Sequence, residues 1–334
     1  MNPTTTIAGP VAPTFEIHVD EHWRERALIE EVQANLTRVP RRLSPRWLYD
    51  DRGSELFDQI TRLGEYYPTE AERRLLAEIC DDLVELSGAD TFVELGSGTS
   101  DKTRTILDAF WRAESLTRVV PFDVSEQTLR DSAVLLSDRY PGLEVHGVAG
   151  DFHEHLLEVD TENLGTPMLA FLGSTIGNLD EAQRAEFLAE VGAWLPTGGT
   201  FLLGFDLMKP VDRIIAAYND SAGVTAEFIT NLLCVLNNEL DADFDPSSFE
   251  YVGLWDPTHT RMDMRLRSLR TQTVELPGAG VTVEFEAGEE LCAEISTKFT
   301  VEQICGEVEA AGLNLVRTWT DQRQDFGMLL AARL

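Results

Sequence analysis

Lysine is almost missing from this chain of 334 residues: Lys102, Lys209 and Lys298 are the only three. Lysine and arginine together number 27 against 58 aspartates and glutamates, a formal net charge of −31. A chain so poor in positive charge is not built to neutralise a nucleic-acid backbone, so no nucleic-acid partner is expected. Cysteine is scarce as well. Cys80, Cys234, Cys292 and Cys305 form no C-x-x-C pair and sit in apolar patterns, which excludes a disulfide framework and points to thiols in a reducing, cytoplasmic compartment. Long apolar runs are lacking too: MLAFLG is among the longest, far short of the roughly 20 residues a membrane span needs, and MNPTTTIAGPVAPTFE lacks the basic start and apolar core of a signal segment. No membrane association is expected. What remains, 43% hydrophobic and 25% charged residues, is the balance of a folded soluble chain with room for one large domain or two modest ones.

After a tail expected to be flexible over residues 1–23, residues 23–37 read as a short amphipathic helix. The connector RVPRRLSP and the aromatic segment RWLYDDRGSELFDQITRLGEYYP follow, read as an irregular arm. Thr69 and Glu72 form a capping box for a helix over 70–87, with Leu75, Leu76, Ile79, Leu83 and Leu86 at helical spacing and Gly88 as its stop. From residue 91 apolar strands (91–95, 118–122, 143–150, 167–173, 200–206) alternate with helices near 101–113, 125–138 and after Asp180. That alternation predicts an α/β fold with a doubly wound parallel sheet. Past Lys209 come two helical stretches, 210–219 and 222–240. FEYVGLW, TRMDMRLRSL, VTVEFEA and ELCAEISTKF then alternate with period 2, as an antiparallel sheet covered on one face does. Thr300 and Gln303 make a second capping box, and LNLVRTWT and GMLLAAR close the chain as a hairpin that returns an antiparallel strand to the first sheet.

Ligands of an open parallel sheet bind at the carboxyl ends of its strands. The first such end is VELGSGTSDKT, where Gly96 and Gly98 permit a tight turn, although Asp101 stands where a G-x-G-x-x-G fingerprint wants its third glycine. An ordinary strand–helix turn reads the same way. PFDVS puts Asp123 at the second end, suited to the hydroxyls of a ribose or to a helix cap. AGDF offers Asp151 to an adenine amino group and Phe152 to its ring, or a cap and a core aromatic. LGSTIGNLD ends in Asn178, whose amide both donates and accepts; it equally suits a turn before a helix capped by Asp180. In series these ends describe a site for an adenosine-containing ligand. DFHEH gathers His153 and His155 beside Asp151 and Glu154, but those neighbours belong to the adenosine site and no metal is expected.

ELGSGTSDKTR, PFDVS, GDF, FLGSTIGNL, EYYPTEAE and AGEELCAEISTKF, in that setting, resemble the histidine-specific Nα-methyltransferases of ergothioneine biosynthesis, S-adenosylmethionine-dependent enzymes of the Rossmann-like class. The resemblance runs from about residue 24 to the end. It implies S-adenosylmethionine as cofactor, held by Gly96, Lys102, Asp123, Asp151 and Phe152, with S-adenosylhomocysteine as product. Tyr66, Asn178 and Tyr218 match residues that hold L-histidine, and Glu294 and Ser296 those that read its imidazole. Tyr49, Phe57, Gly173, Thr225 and Met264 match residues lining the same cavity. Asn178 and Tyr49 are the candidates for handling the amine proton. The implied reaction is trimethylation of the α-amine to hercynine by a monomeric cytoplasmic enzyme. Its implied division is a substrate-binding α+β domain from 24–70 and 209–297, and a methyltransferase domain from 71–208 and 298–334.

Period 2 in ELCAEISTKF places Glu290, Cys292, Glu294, Ser296 and Lys298 on one face, so a carboxylate and a hydroxyl two residues apart can grip both imidazole nitrogens; a solvated strand face has the same pattern. Met262, Met264 and Leu266 share an inward face, and Tyr66 and Tyr67 read by default as core. Competing readings are a nicotinamide-dependent oxidoreductase, a non-catalytic adenosine sensor, and a methyltransferase for another amino acid.

Overall fold

The computed structural model describes residues 11–20, 22–98, 102–161 and 163–334. Among the described residues fourteen strands, β1 to β14 in chain order, form three sheets: Thr14–Ile17, Arg41–Arg42, Thr91–Leu95, Arg118–Asp123, Glu144–Ala149, Pro167–Phe171, Thr200–Asp206, Phe249–Asp256, Arg261–Ser268, Gln272–Leu276, Val281–Phe285, Glu290–Thr297, Asn314–Thr320 and Phe326–Ala332. The large sheet has the order β1-β5-β4-β3-β6-β7-β14-β13. Neighbours from β1 to β7 run parallel, and β14 returns antiparallel to β7. The chain steps outward from β3 through β4 to β5, then crosses back to β6 on the other side of β3. The carboxyl ends of β3 and β6 therefore flank the crevice where such sheets take their ligands.

The residues explain the arrangement. Strands β3, β6 and β7 are buried along their whole length, as strands covered by helices on both faces must be. Phe92, Leu107, Phe110 and Leu330 fill one face, while Val93, Phe122, Phe187 and Leu203 fill the other. Ser125 caps helix Glu126–Arg139 and Asp180 makes a full capping box with Gln183 ahead of helix Glu181–Trp194. Thr300 accepts from the Gln303 amide, but the Gln303 side chain turns instead to Glu307. A separate apolar cluster combines Leu28 of helix Trp23–Asn35 and Trp47 and Leu56 of the aromatic arm with Phe228, Leu232, Met264, Phe285 and Leu291. Around it lie the sheet β2-β12-β9-β8 and the hairpin β10-β11.

Three expectations change. The tail expected to be free over 1–23 is anchored where it is described: Thr14–Ile17 adds a parallel edge strand to β5, and Arg130 lies 4.4 Å over the Phe15 ring. Residues 1–10 and 21 of that tail lie outside the described residues. The aromatic arm is ordered, because Asp50 caps helix Asp51–Ile60 by accepting from the Gly53 amide and Leu56 and Ile60 give it a buried face. The capping box of Thr69 and Glu72 does not form. Helix Pro68–Ser87 starts earlier, with Pro68 in its first turn, and Glu72 is fully buried inside the molecule.

Candidate active site

Five strand ends converge at one edge of the large sheet. After β3, Gly96 and Gly98 have φ of 67° and 49°, a region that favours glycine, and open space lies where each Cβ would stand. The Gly98 amide donates to Asp123 at 2.8 Å, which ties the turn to the tip of β4. Burial pushes the Asp123 carboxyl up, against hydrogen bonds from backbone amides. Ser97 keeps a buried hydroxyl with no hydrogen-bond partner among the described residues. A glycine cradle, an orphaned hydroxyl and a carboxylate at the next strand tip fit the ribose and methionine portions of S-adenosylmethionine. Thr99, Ser100 and Asp101, the rest of that motif, lie outside the described residues.

Glu72 sits behind this cradle. Its carboxylate accepts from Lys102 Nζ at 2.7 Å and from the Gly173 amide at 2.6 Å, joining the loops after β3 and β6. Gly173 has φ of 75°, and a Cβ there would stand 3.3 Å from Lys102 Nζ. Gly173, expected in the wall of the substrate cavity, is thus joined through Glu72 to Lys102, which is expected at the cofactor. Glu94, below it, is pushed up to about 8 by burial, against a hydrogen bond from Thr103. At the end of β5, Asp151 accepts from Arg46 of the arm at 2.6 Å and from the His153 amide at 2.9 Å. Phe152 packs on Phe171 and Phe187, with ring centroids 5.2 and 5.8 Å away. Glu72→Gln is expected to lower affinity for S-adenosylhomocysteine about tenfold by calorimetry, because Lys102 loses the buried carboxylate that holds it in place; unchanged affinity would reduce Glu72 to packing.

Above the crevice stands a chain of aromatic rings. Tyr49 lies 5.5 Å from both Phe57 and Phe228, Phe57 lies 6.4 Å from Tyr66, and Tyr66 lies 5.9 Å from Tyr218. Tyr49 leaves 38% of its surface exposed, but the desolvation of its hydroxyl end, and then the nearby charge of Glu294, pushes its phenol well above the usual range; Tyr66 and Tyr218 are raised too, chiefly by burial. All three stay neutral donors at physiological pH. Thr225 is buried in the first turn of helix Val224–Leu240, its amide on Asp220.

The way Glu294 reaches this cluster corrects the period-2 reading. Cys292 pairs with Arg265 and Glu294 with Met264, so β12 carries a bulge at Ala293 that flips the side chains beyond it. Before the bulge Glu290 points outward to Arg265 and Arg267, both at 2.7 Å. After it Glu294 and Ser296 share the inner face with Met264 and Met262, both buried. Asn178, in the turn Thr175–Asn178 after β6, donates to Glu294 Oε1 at 3.2 Å. Tyr218 Oη and Ser296 Oγ are 2.9 Å apart. Burial raises the Glu294 carboxyl to about 7, with Lys298 pulling it back down.

Residues that the sequence reading passed over complete the floor. Asp206, at the carboxyl end of β7, binds Lys298 at 2.8 Å, Lys209 at 2.5 Å and the Tyr67 hydroxyl at 2.8 Å. The strand-end rule applied to β7 points to Asp206. The scarcity of lysine points to the rest, since Lys102, Lys209 and Lys298 all engage buried carboxylates here.

A model of the family described as histidine-specific, S-adenosylmethionine-dependent methyltransferases matches residues 28–333. A histidine N-alpha-methyltransferase of Mycolicibacterium smegmatis is 48% identical over 307 residues, 92% of this chain and 95% of that protein. The histidine N-alpha-methyltransferase of Mycobacterium tuberculosis is 46% identical over 316 residues, 95% of this chain and 98% of that protein. Ergothioneine biosynthesis protein 1 of Schizosaccharomyces pombe is 30% identical over 237 residues, 68% of this chain and 30% of that protein.

Proposed function

The chain belongs to the histidine-specific, S-adenosylmethionine-dependent methyltransferases, and from that premise we propose how its site methylates the α-amine of L-histidine, three times over, to give the betaine hercynine for ergothioneine biosynthesis. The observation that carries this reading is the bulged strand β12, which turns Glu294 and Ser296 together onto the inner face, beside Asn178 and Tyr218. A carboxylate and a hydroxyl at that spacing match the two nitrogens of one imidazole ring. Gly96, Lys102, Asp123, Asp151 and Phe152 hold the cofactor, and the unit packed around the arm and β8–β12 holds histidine.

When bound, S-adenosylmethionine supplies an electrophilic methyl on a sulfonium, and everything else is placement. Fixing the amine at attack distance is worth roughly 7–11 kcal/mol of barrier. An α-amine is largely protonated at neutral pH, so the site must favour its neutral form. The Asn178 carbonyl accepts one amine N–H and aims the lone pair, the ammonium proton passes to solvent water, and Tyr49, a neutral phenol, hydrogen-bonds the amine directly or through a water. Each methylation replaces a donor with a methyl, and the rings of Tyr49, Phe57 and Tyr66 offer π faces to the growing cation.

Mass spectrometry of reactions containing the protein, S-adenosylmethionine and L-histidine, with tryptophan, tyrosine and phenylalanine as parallel acceptors, tests the reading. Mono-, di- and trimethylated histidine are the expected products. Methylation of another amino acid in preference to histidine would overturn the substrate assignment.

A further inference from the structure

Arg46 belongs to the aromatic arm, and its guanidinium reaches from there to the carboxyl end of β5. One terminal nitrogen donates to Asp151 Oδ2 at 2.6 Å and lies 3.4 Å from Glu154 Oε1, while the other donates to Glu31 Oε2 at 3.1 Å. Two indoles flank it, the Trp47 ring centre 4.5 Å away and the Trp23 ring centre 5.7 Å away. Both indole N–H groups are engaged by the same carboxylates, Trp47 by Glu31 at 2.8 Å and Trp23 by Glu154 at 3.1 Å. Trp47 is buried in the apolar cluster that lies against the sheet β2-β12-β9-β8. The guanidinium is therefore anchored by elements outside the large sheet and delivered to one of its strand ends.

At that end Asp151 is buried, and each of its carboxylate oxygens has a partner: Oδ1 accepts from the His153 amide at 2.9 Å and Oδ2 from Arg46. An ionised carboxylate has about four acceptor positions, so capacity remains for a donor brought by a ligand. The His153 contact is a local turn and fixes one oxygen. Arg46, from 105 residues away in sequence, fixes the other. It also stands between Asp151 and Glu154, with Glu31 on its other nitrogen; without it these carboxylates lose the charge that now separates them.

Resting on the reading that Asp151 takes the amino group of the cofactor's adenine, we propose that Arg46 is a positioning residue that holds the Asp151 carboxylate in one orientation for that amine. A planar guanidinium suits the task, because it bonds Asp151 and Glu31 through separate nitrogens at once, whereas an ammonium is a point charge on a flexible stem. The amine hydrogens of adenine are neutral donors, and a fixed, charged acceptor makes the stronger bond with them. Recognition of the purine is thereby set in part from the arm that also carries Tyr49 and Phe57.

A double-mutant cycle read by calorimetry with S-adenosylhomocysteine tests this, using Arg46→Met, Asp151→Ala and the two together. Each single change is expected to weaken binding about tenfold, and the double variant to lie within about threefold of Asp151→Ala, because Arg46 acts through the carboxylate that alanine removes. Losses that multiply in the double variant, to about a hundredfold, overturn the proposal. The second readout is the 6-deamino analogue of S-adenosylhomocysteine, which carries hydrogen in place of the adenine amine. Arg46→Met is expected to narrow the wild-type preference for the amino ligand at least about threefold, and Arg46→Lys to restore part of it. A merely structural loss weakens both ligands alike, so an unchanged ratio overturns the proposal. If Arg46→Met does not fold, Arg46→Lys takes its place in the cycle, with a smaller loss alone and again no further loss beside Asp151→Ala. The reading beneath is judged by a different protein. Asp151→Ala that binds both ligands as the wild type does takes Asp151 away from the adenine, and the proposal falls with it; a weakened Asp151→Ala beside an unaffected Arg46→Met refutes the role of Arg46 alone.

Discussion

Asn178→Ala lowers kcat for histidine methylation by about a hundredfold to a thousandfold while S-adenosylhomocysteine affinity stays within about twofold. The amide sits where the loop after β6 meets β12, its nitrogen 3.2 Å from Glu294 Oε1. With the nitrogen engaged there, the carbonyl is left to accept from the substrate amine. Loss of a hydrogen bond that aims a reacting lone pair costs about 1.5–3 kcal/mol directly, and the misalignment that follows costs more, because attack geometry tolerates errors of well under an ångström. Both losses fall on the transition state, so kcat drops together with kcat/KM. Asn178→Asp separates orientation from proton control. A carboxylate there stabilises the ammonium, so histidine binds at least as well, yet the alkaline rise of kcat moves to higher pH. Stopped assays from pH 6 to 10 read the shift. A raised KM with intact kcat in Asn178→Ala would assign the residue to binding alone.

The large sheet is legible in the sequence because its strands are short apolar runs between strong helices, and the Gly-x-Gly turn, Asp123, Asp151 and Asn178 mark successive strand ends. Reading by period fails wherever a tertiary contact overrides local preference. Glu72 has the spacing of a capping residue, yet its carboxylate serves Lys102 and Gly173 from loops 30 and 101 residues away in sequence. The bulge at Ala293 has no glycine to announce it, so a strict alternation assigns Cys292 and Glu294 to one face when they lie on opposite ones. Strand β10, QTVEL in sequence, has too few apolar residues to stand out and exists through its pairing with β11. Lys298 has the right alternation but reads as a solvated surface lysine, because nothing local to it reveals Asp206 at the end of a strand 92 residues earlier.

Glu294→Gln raises the KM for histidine by more than a hundredfold and at the same time stabilises the ligand-free protein at alkaline pH. The Glu294 carboxyl is raised to about 7 by burial, from about 4.5 in the unfolded chain. A folded state that binds its proton more tightly than the unfolded one gains between those values, so this group's contribution falls as pH rises from about 4.5 and is fully lost above about 7. At roughly 1.4 kcal/mol per pKa unit, keeping the carboxylate ionised at pH 8 costs about 3 kcal/mol. Glutamine does not titrate. The variant and wild type should therefore melt together near pH 4 and diverge by several degrees at pH 8, with the variant higher. A melting difference independent of pH would mean that Glu294 is not the group titrating in that window. The carboxylate accepts from the Asn178 amide at 3.2 Å, which leaves acceptor capacity that the N–H of a bound imidazole would fill, and that gain offsets the cost of ionising the group. Histidine should accordingly raise the wild-type melting temperature at pH 8 well beyond its effect on Glu294→Gln. The discrimination has the same origin. A phenyl ring brings no donor and leaves the carboxylate with the Asn178 amide but no ring N–H, so phenylalanine is refused by what it fails to satisfy, and Glu294→Ala is expected to narrow the preference for histidine over phenylalanine by at least tenfold in competition assays.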